Sequence, residues 1–573
     1  MLNKYYNTEL SRLRKHSLEF ARANPAIAPM LGATSTDPDI EILLQGVAYL
    51  NGLTLQKLDD EFPEIAQELA GILVPQLLRP LPAATMMAFV PKARLSEVAM
   101  IAAGTEIAST PIDGVSCVFR TTAALQVHPL ALDEVAFTQT SDGVSTIRLS
   151  FSGLDLGKAV GIPENLRLFL ADEHETAASL FMLLRQSVRA IRLLDEGGQA
   201  VLLPSALAFP GFDEPLIPYP DNAFPGFCLL QELLFFPQKY LFVEFQNLHK
   251  SLSGLSGNRL YIEIELEKNF GATPNVSLDS FQLNVVPAVN LFNQQAEPIN
   301  LTHETTEYVV TPDGRQKAHY QIYSIDSVIG MRQGQSQHKQ YQPFSSLTFS
   351  KNSAQSSFRS SLRPSAIDDR LDTHIAVVYP PGSEPSNETL SIKLTCTNRA
   401  LPEKLKLGDV NRPTNSSPER FSFKNITPIT GAVDPPHGEK LLWDVISHTV
   451  LNVLSLKDAD NLRALLRLYN SLRTHDHSAK TINERQIDGI LELVVRPENR
   501  LYRGMNTQGQ HVRLLCQESN WGSRGSLYLW GCVLDKFLAS YAGINAYTRF
   551  ELEDKTTGSL FKWPLRQGLK LLL

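Results

Sequence analysis

Residues 37–64 read DPDIEILLQGVAYLNGLTLQKLDDEFPE, and this stretch sets the architecture of everything upstream of it. Asp37 stands as a capping carboxylate before Pro38 at the first helical position, with Asp39 and Glu41 in the first turn where the helix dipole favours acids. Ile40, Leu43, Leu44, Val47, Leu50, Leu53, Thr54 and Leu58 then recur at helical spacing on one face, and Pro63 is expected to end the run. Upstream, Tyr6, Leu10, Leu13 and Phe20 mark the apolar stripe of an earlier helix, with Glu9, Arg12, Arg14 and Lys15 on its wet side and Pro25 and Pro29 closing it. Downstream, Ile65 to Leu78 forms a third apolar stretch closed by Arg79-Pro80-Leu81-Pro82. Three short helices with this much apolar face bury poorly on themselves. Residues 1–82 are therefore expected to form a helical assembly segment whose grease other polypeptides cover.

After Pro82 the period shortens from 3.6 toward 2, the mark of β structure. Met87–Val90, Val118–Thr122, Ile147–Phe151 and Leu166–Leu170 alternate like strands, and Ala177–Ala190 carries a helical face through Leu180, Leu183, Leu184 and Val188. A β-rich domain over 83–245 follows, ending in a segment, 204–240, dense in proline and aromatic residues. Pro218, Pro220, Pro225 and Pro237 predict a packed, irregular path there, since phenylalanines at 209, 212, 224, 227, 235 and 236 cannot stay wet. Further strands at Tyr240–Phe245, Leu260–Leu266, Phe281–Val285, Tyr320–Ile325, Thr373–Tyr379 and Leu390–Thr395 suggest a second β-rich domain over 246–438. Its Gln/Ser-rich stretch around 333–363 is expected to be a mobile excursion, because so few apolar residues cannot offset ordering. Residues 439–573 return to helices, led by Leu441–Val450 and Leu462–Leu472, and finish in a small α+β unit. The fold class is multidomain α+β.

With 573 residues the chain is too long for a single core. A net charge of −7 argues against general nucleic-acid binding, which needs clustered Lys and Arg. No apolar leader opens the chain and no uninterrupted apolar stretch is long enough to span a bilayer, so neither export nor direct membrane insertion is expected. Cys117, Cys228, Cys396, Cys516 and Cys532 are odd in number and widely spaced, which suits reduced thiols better than a disulfide framework or a zinc site.

The spacings that serve nucleotide, zinc or acyl-transfer chemistry do not occur. His303-Glu304 lacks the second histidine that zinc requires, and Glu173-His174-Glu175 and His475-Asp476-His477 sit in polar loops with neighbours pointing apart. Ser256, in a Ser/Gly turn, reads as a hinge. No catalytic residue, metal ligand or cofactor site is nominated. Besides a structural subunit, two alternatives stay open. One is a hydrolase or lyase of unfamiliar design, and the other is a β-rich binding module, of a phage-like tail or of a secreted adhesin.

Several stretches resemble one family in order along almost the whole chain. They are Tyr5-Tyr6 with Glu9-Leu10 and Leu13-Arg14, Asn24-Pro25-Ala26, Asp37-Pro38, Lys57 to Glu64, Phe224-Pro225-Gly226-Phe227, Phe235 to Tyr240, Val289 to Phe292, Leu394 to Arg399, Leu441-Leu442-Trp443 and Val533 to Ala539. Together they resemble the TssF (VasA/ImpG) family of type VI secretion baseplate subunits. Asn24 stands where the family pattern has histidine, and 333–363 matches no part of it. The resemblance implies a cytoplasmic wedge subunit, docked beneath an inner-membrane complex. Two copies would join one TssG and bind TssK and TssE, with neighbouring wedges around the VgrG spike, to nucleate sheath and tube. Large apolar anchors should then carry the binding energy. The expected anchors are Tyr6, Leu10, Leu13, Leu43, Val47 and Leu50, with Phe224, Phe227 and Phe236.

Overall fold

A computed structural model describes the chain except for Met1 and residues 25–37, 94, 96, 140–143, 154–155, 157–162, 205–206, 253–254, 268–274, 333–337, 345–355, 366–369, 381, 383–386, 451–457, 472–476, 503–504, 541, 543–545 and 569–573. Side chains are also left aside at 2–4, 38, 40, 56–63, 439, 449–450, 471, 477, 501–502 and 505–506. The fold is multidomain α+β with a helical N-terminus. It divides into two compact units, 1–73 with 436–446, and 74–435 with 447–573.

The first unit is built on two helices, α1 (Leu2–Ala23) and α2 (Pro38–Leu73). The expected break at Pro63 does not occur. Proline removes one backbone hydrogen bond and costs about 3 kcal/mol inside a helix, but Leu, Glu, Gln and Ala on both sides are strong helix formers and carry the helix through. What reads as two helices is one of 36 residues, followed only by a 3-10 turn at Pro75–Leu78. Pairing of Arg14 with Glu41 and of Tyr6 with Gly52 shows α1 and α2 running antiparallel.

The second unit begins with a six-stranded sheet whose strands come from three distant parts of the sequence. Ala84–Pro91 lies between Val285–Val289 and Phe421–Asn425, and the sheet continues through Val118–Thr121 and Glu106–Ser109 to Val410–Pro413. Its two ends meet at Asn425, whose backbone carbonyl accepts the Gly408 N–H at 3.1 Å and whose side-chain oxygen accepts the Val410 N–H at 3.1 Å. The sheet therefore curls into a barrel, filled by Phe89, Ile107, Phe119 and Val286. We call it the host barrel.

Two long insertions leave it. The first carries a five-stranded sheet and a three-stranded sheet, with helix α3 (His174–Gln186) between Leu166–Leu170 and Val188–Leu194. In the five-stranded sheet Arg259–Leu266 pairs with both Ser145–Ser152 and Val188–Leu194. These ladders run across residue 245, where the sequence suggests a boundary, because alternation marks a strand without naming its partner. The second insertion is an eight-stranded sheet from 292–397. The Glu297 N–H donates to the Thr311 carbonyl and the Asp313 N–H to the Gln295 carbonyl, each at 2.8 Å, which closes this sheet into a second barrel.

Part of the Gln/Ser-rich stretch is integral to the second barrel. His338–Pro343 and Ser357–Pro364 are two of its strands, and Tyr341 and Phe358 lie in its core with Val328, Ile375 and Ile392. The expected mobile excursion is corrected for these residues, while 333–337 and 345–355 lie outside the described residues. One large aromatic per strand buries enough area to order a strand whose other face is wet.

The Pro/aromatic segment is also more regular than expected. Pro225 opens helix α4 (Pro225–Phe235) at its first position instead of preventing it, and Pro237 follows its end. In the C-terminal part, α5 (Gly438–Val450) and α6 (Ala459–Ser471) match their sequence patterns. Helix α7 (His477–Asp488) does not announce itself, since Ile482 is exposed and Ile487 alone is a buried aliphatic in it. A hairpin of Ile490–Tyr502 and Met505–Cys516 then pairs in parallel with Ala546–Asp554. Helix α8 (Arg524–Ser540) supplies the crossover between the last two, as parallel pairing demands.

Candidate partner interface

Helix α2 has small residues where it meets α1 and large ones where it meets water. Ala48 and Gly52 are four apart and buried, and a Cβ on Gly52 would stand 3.1 Å from the Tyr6 nitrogen, so the two backbones touch there. Ala66 and Ala70 repeat the four-residue interval and are also fully buried. Leu43, Val47 and Leu50 recur at intervals of four and three, and Ile65, Leu69 and Ile72 repeat the pattern, all six exposed. At 3.6 residues per turn Leu50 lies about 200° round the helix from Ala48. Leu43 is 67% and Leu50 64% exposed, values that decide the matter for residues with no polar atom to hydrate.

The same unit exposes Trp443 at 62%, with Ile446 three residues on, on helix α5. Neither was nominated by sequence. A tryptophan one turn before an isoleucine is the sequence signal that could have found them, since Trp is enriched among residues that dominate binding energy. Of the twenty-four exposed large apolar side chains among the described residues, thirteen belong to this unit.

The nine nominated residues separate accordingly. Leu43, Val47 and Leu50 form one exposed stripe. Tyr6 and Leu13 are half-buried on α1, and Leu10 is only 9% exposed, so Leu10 belongs to the packing inside the helical unit. Phe224 and Phe227 are half-buried in the second unit, where the Phe227 ring stands edge-on to His448 at 4.8 Å and lies 6.1 Å from both Tyr469 and Phe537. Phe236 is 1% exposed and is a core residue, which corrects its expected place on a surface.

The run around Phe236 has an internal job. Glu232 and Lys239 form a fully buried ion pair. Glu232 also accepts the Leu216 N–H at 2.7 Å, and the Lys239 ammonium donates to the Glu214 carbonyl at 2.6 Å. The pair thus staples the proline-rich loop to α4, with every charge partnered as burial requires.

His448 is buried with no hydrogen-bond partner on either ring nitrogen, and burial holds its imidazole down to about 4. On the same helix, burial pushes the Asp444 carboxyl up to about 6. Among the described residues no group of three or more His, Cys, Asp or Glu stands within reach of a common metal ion. No described helix is long and apolar enough to cross a membrane.

Comparison with known proteins gives the family of the chain. The family model for the type VI secretion system protein TssF matches residues 1–570. Type VI secretion system component TssF1 of Pseudomonas aeruginosa is 28% identical, over 99% of this chain and 98% of its own length. A chain in the cryo-electron microscopy structure of the type VI secretion TssK-TssF-TssG baseplate subcomplex superposes with a TM-score of 0.80 at 26% identity, covering 93% of this chain and 99% of that one. A chain of the baseplate complex from the type VI secretion system shares the fold at a TM-score of 0.63 and 24% identity, with 100% of both chains covered. The chain belongs to the TssF family of type VI secretion baseplate subunits.

Proposed function

We propose that this chain is a wedge subunit that joins TssG through its helical unit, with two copies of the chain on each TssG, and that the resulting wedge binds TssK and TssE. Six-fold repetition of such wedges around the VgrG spike, in the cytoplasm beneath the inner-membrane complex, gives the platform on which tube and sheath start. Its function on this reading is geometric, and no bond is made or broken.

The observation that carries the proposal is the outward face of α2. Leu43, Val47, Leu50, Ile65, Leu69 and Ile72 stand in water on a helix whose Ala48, Gly52, Ala66 and Ala70 are buried. Each such side chain gains about 1.5–3 kcal/mol when fully covered. A subunit kept in isolation carries that cost over the whole stripe, and a partner helix laid along it removes the cost. Neighbours in solved baseplate complexes support the choice of TssG and TssK as the partners.

Coexpression with TssG and TssK proteins from the same secretion cluster, followed by native mass spectrometry, tests the reading. The expected complex contains two copies of this chain per TssG. A stable solitary monomer, or a complex with one copy per TssG, overturns the stoichiometry and the role together.

A further inference from the structure

We propose that Asn290 and Asn398 form a mechanical joint that fixes the angle of the 292–397 barrel on the host barrel. The chain leaves the host barrel just after Val285–Val289, passes through Asn290 and enters the second barrel at Phe292–Gln295. It returns along Glu388–Thr397 and reaches Asn398. The two asparagines therefore stand on the outgoing and returning strands, and both are buried, at 0% and 1% exposure.

Their hydrogen bonds tie three segments together. The Asn398 N–H donates to the Asn290 side-chain oxygen at 2.7 Å, and the Asn290 amide group donates to the Asn398 side-chain oxygen and to the Val118 carbonyl, each at 2.8 Å. Val118 belongs to the host strand Val118–Thr121, and its own N–H points to the Asn398 side-chain oxygen at 3.4 Å. Beside this clasp, Arg399 has a left-handed backbone with φ of 55° and donates from Nε to the Tyr320 carbonyl at 2.9 Å. Tyr320 packs against the cores of both barrels.

The chemistry of the clasp is what makes it a joint and not just a contact. Two apolar surfaces slide over each other at small cost, because dispersion and burial have no preferred direction. A buried amide pair has directional bonds, and any rotation of one barrel against the other strands a donor or an acceptor away from water. Only one orientation satisfies both asparagines. The chain leaves and returns within one clasp, and the side chains of Gln316 and Gln321 add bonds to the Gly114 carbonyl and the Asp434 carboxylate, at 2.6 and 2.7 Å, that hold the same orientation. The two barrels consequently act as one rigid body.

Distance measurement between spin labels at Lys424→Cys on the host barrel and Val309→Cys on the second barrel tests this in the full chain. Both positions are exposed, and all five native cysteines are buried. The unmodified joint gives one narrow distance peak. Asn290→Asp sets a carboxylate oxygen against the Val118 carbonyl and the Asn398 side-chain oxygen, and the narrow peak is lost. Asn398→Asp keeps the acceptor that the clasp uses, and the peak is retained. Thr395→Val, which removes a 2.7 Å hydrogen bond to Asp326 inside the second barrel, lowers the melting temperature without broadening the peak. If Asn290→Asp does not fold, Asn290→Ala removes the same bonds without adding a charge and is read in the same way. A narrow, unshifted peak in the folded Asn290 variant overturns the joint, as does broadening in Thr395→Val equal to that in the Asn290 variant.

Discussion

The helical unit and the host barrel solve opposite problems with similar side chains. In the barrel Phe89, Ile107 and Phe119 point inward and are almost fully buried. In the helical unit Ala48, Gly52, Ala66 and Ala70 point inward, and Leu43, Leu50, Ile65 and Ile72 point out. The barrel is a finished core. The helix pair has the composition of a core turned inside out, and Gly52 lets its backbones touch at the expense of buried area. On the proposed reading, the contrast separates residues that stabilise the chain from residues that stabilise an assembly.

The sharpest way to break this contrast is to charge the outer stripe. Leu43→Asp with Leu50→Asp is expected to weaken binding to the TssG partner by about 5 kcal/mol, more than 1,000-fold, because two unpaired carboxylates are desolvated at once. Thermal melting of the isolated chain should move little, as substitutions of exposed residues usually stay within about 0.5 kcal/mol. Loss of folding, in place of loss of binding, would show that the stripe is already covered by its own chain. Phe119→Ala should do the reverse. A cavity at this fully buried site costs about 3–5 kcal/mol of unfolding free energy in denaturant titrations, and the folded fraction should still bind the partner.

Helix α5 gives a pH test of the packing around its buried titratable groups. The imidazole of His448 is held at about 4, below its ordinary 6.5, so the folded state binds this proton less readily than the unfolded chain. Its contribution is complete above pH 6.5 and is lost as pH falls toward 4. Asp444 runs the other way, because a carboxyl raised from 3.8 to about 6 favours the folded state as pH falls through 6. Between pH 7 and 5 the two largely cancel. His448→Phe removes the destabilising half, and stability at pH 5 relative to pH 7 should rise by about 2 kcal/mol against the parent chain. An unchanged pH profile would mean that the ring is already solvated. The smallest effect is expected at two glycines of α2. Gly46→Ala, with open space at its Cβ, should stabilise by about 1 kcal/mol through helix propensity. At Gly52 the same gain is offset by the 3.1 Å approach to Tyr6, so Gly52→Ala should be neutral or worse by thermal melting.

Periodicity made the helical opening and most strands legible, because each depends only on residues within a few positions. The stripe of Leu43, Val47 and Leu50 was visible for that reason. Pro63 misled, since a local rule about proline cannot weigh the helix formers on both sides of it. Tyr341 and Phe358 were hidden in polar surroundings, where composition averages away the single residue that orders a strand. Phe236 looked like a surface anchor because an aromatic run gives no sign of which side is inside. Trp443 and Ile446 were not nominated as anchors because periodicity does not separate Ile446 from the buried Leu441 and Val445 of the same helix. What no pattern could reveal was the nesting of one barrel inside the sequence of another, because strand partnership is a long-range property.

That nesting has a consequence for how the protein is made. Ala84–Pro91 meets one neighbour at Val285–Val289 and its other at Phe421–Asn425, more than three hundred positions later in the sequence. At bacterial elongation rates of about 5–20 residues per second, that segment waits on the order of 20–60 s with a bare flank while the ribosome completes the interval. The 292–397 module can finish before its host does. Newborn chains are thus most vulnerable to misassociation late in translation, when nearly all of the polypeptide exists and its first-made strand is still unsealed.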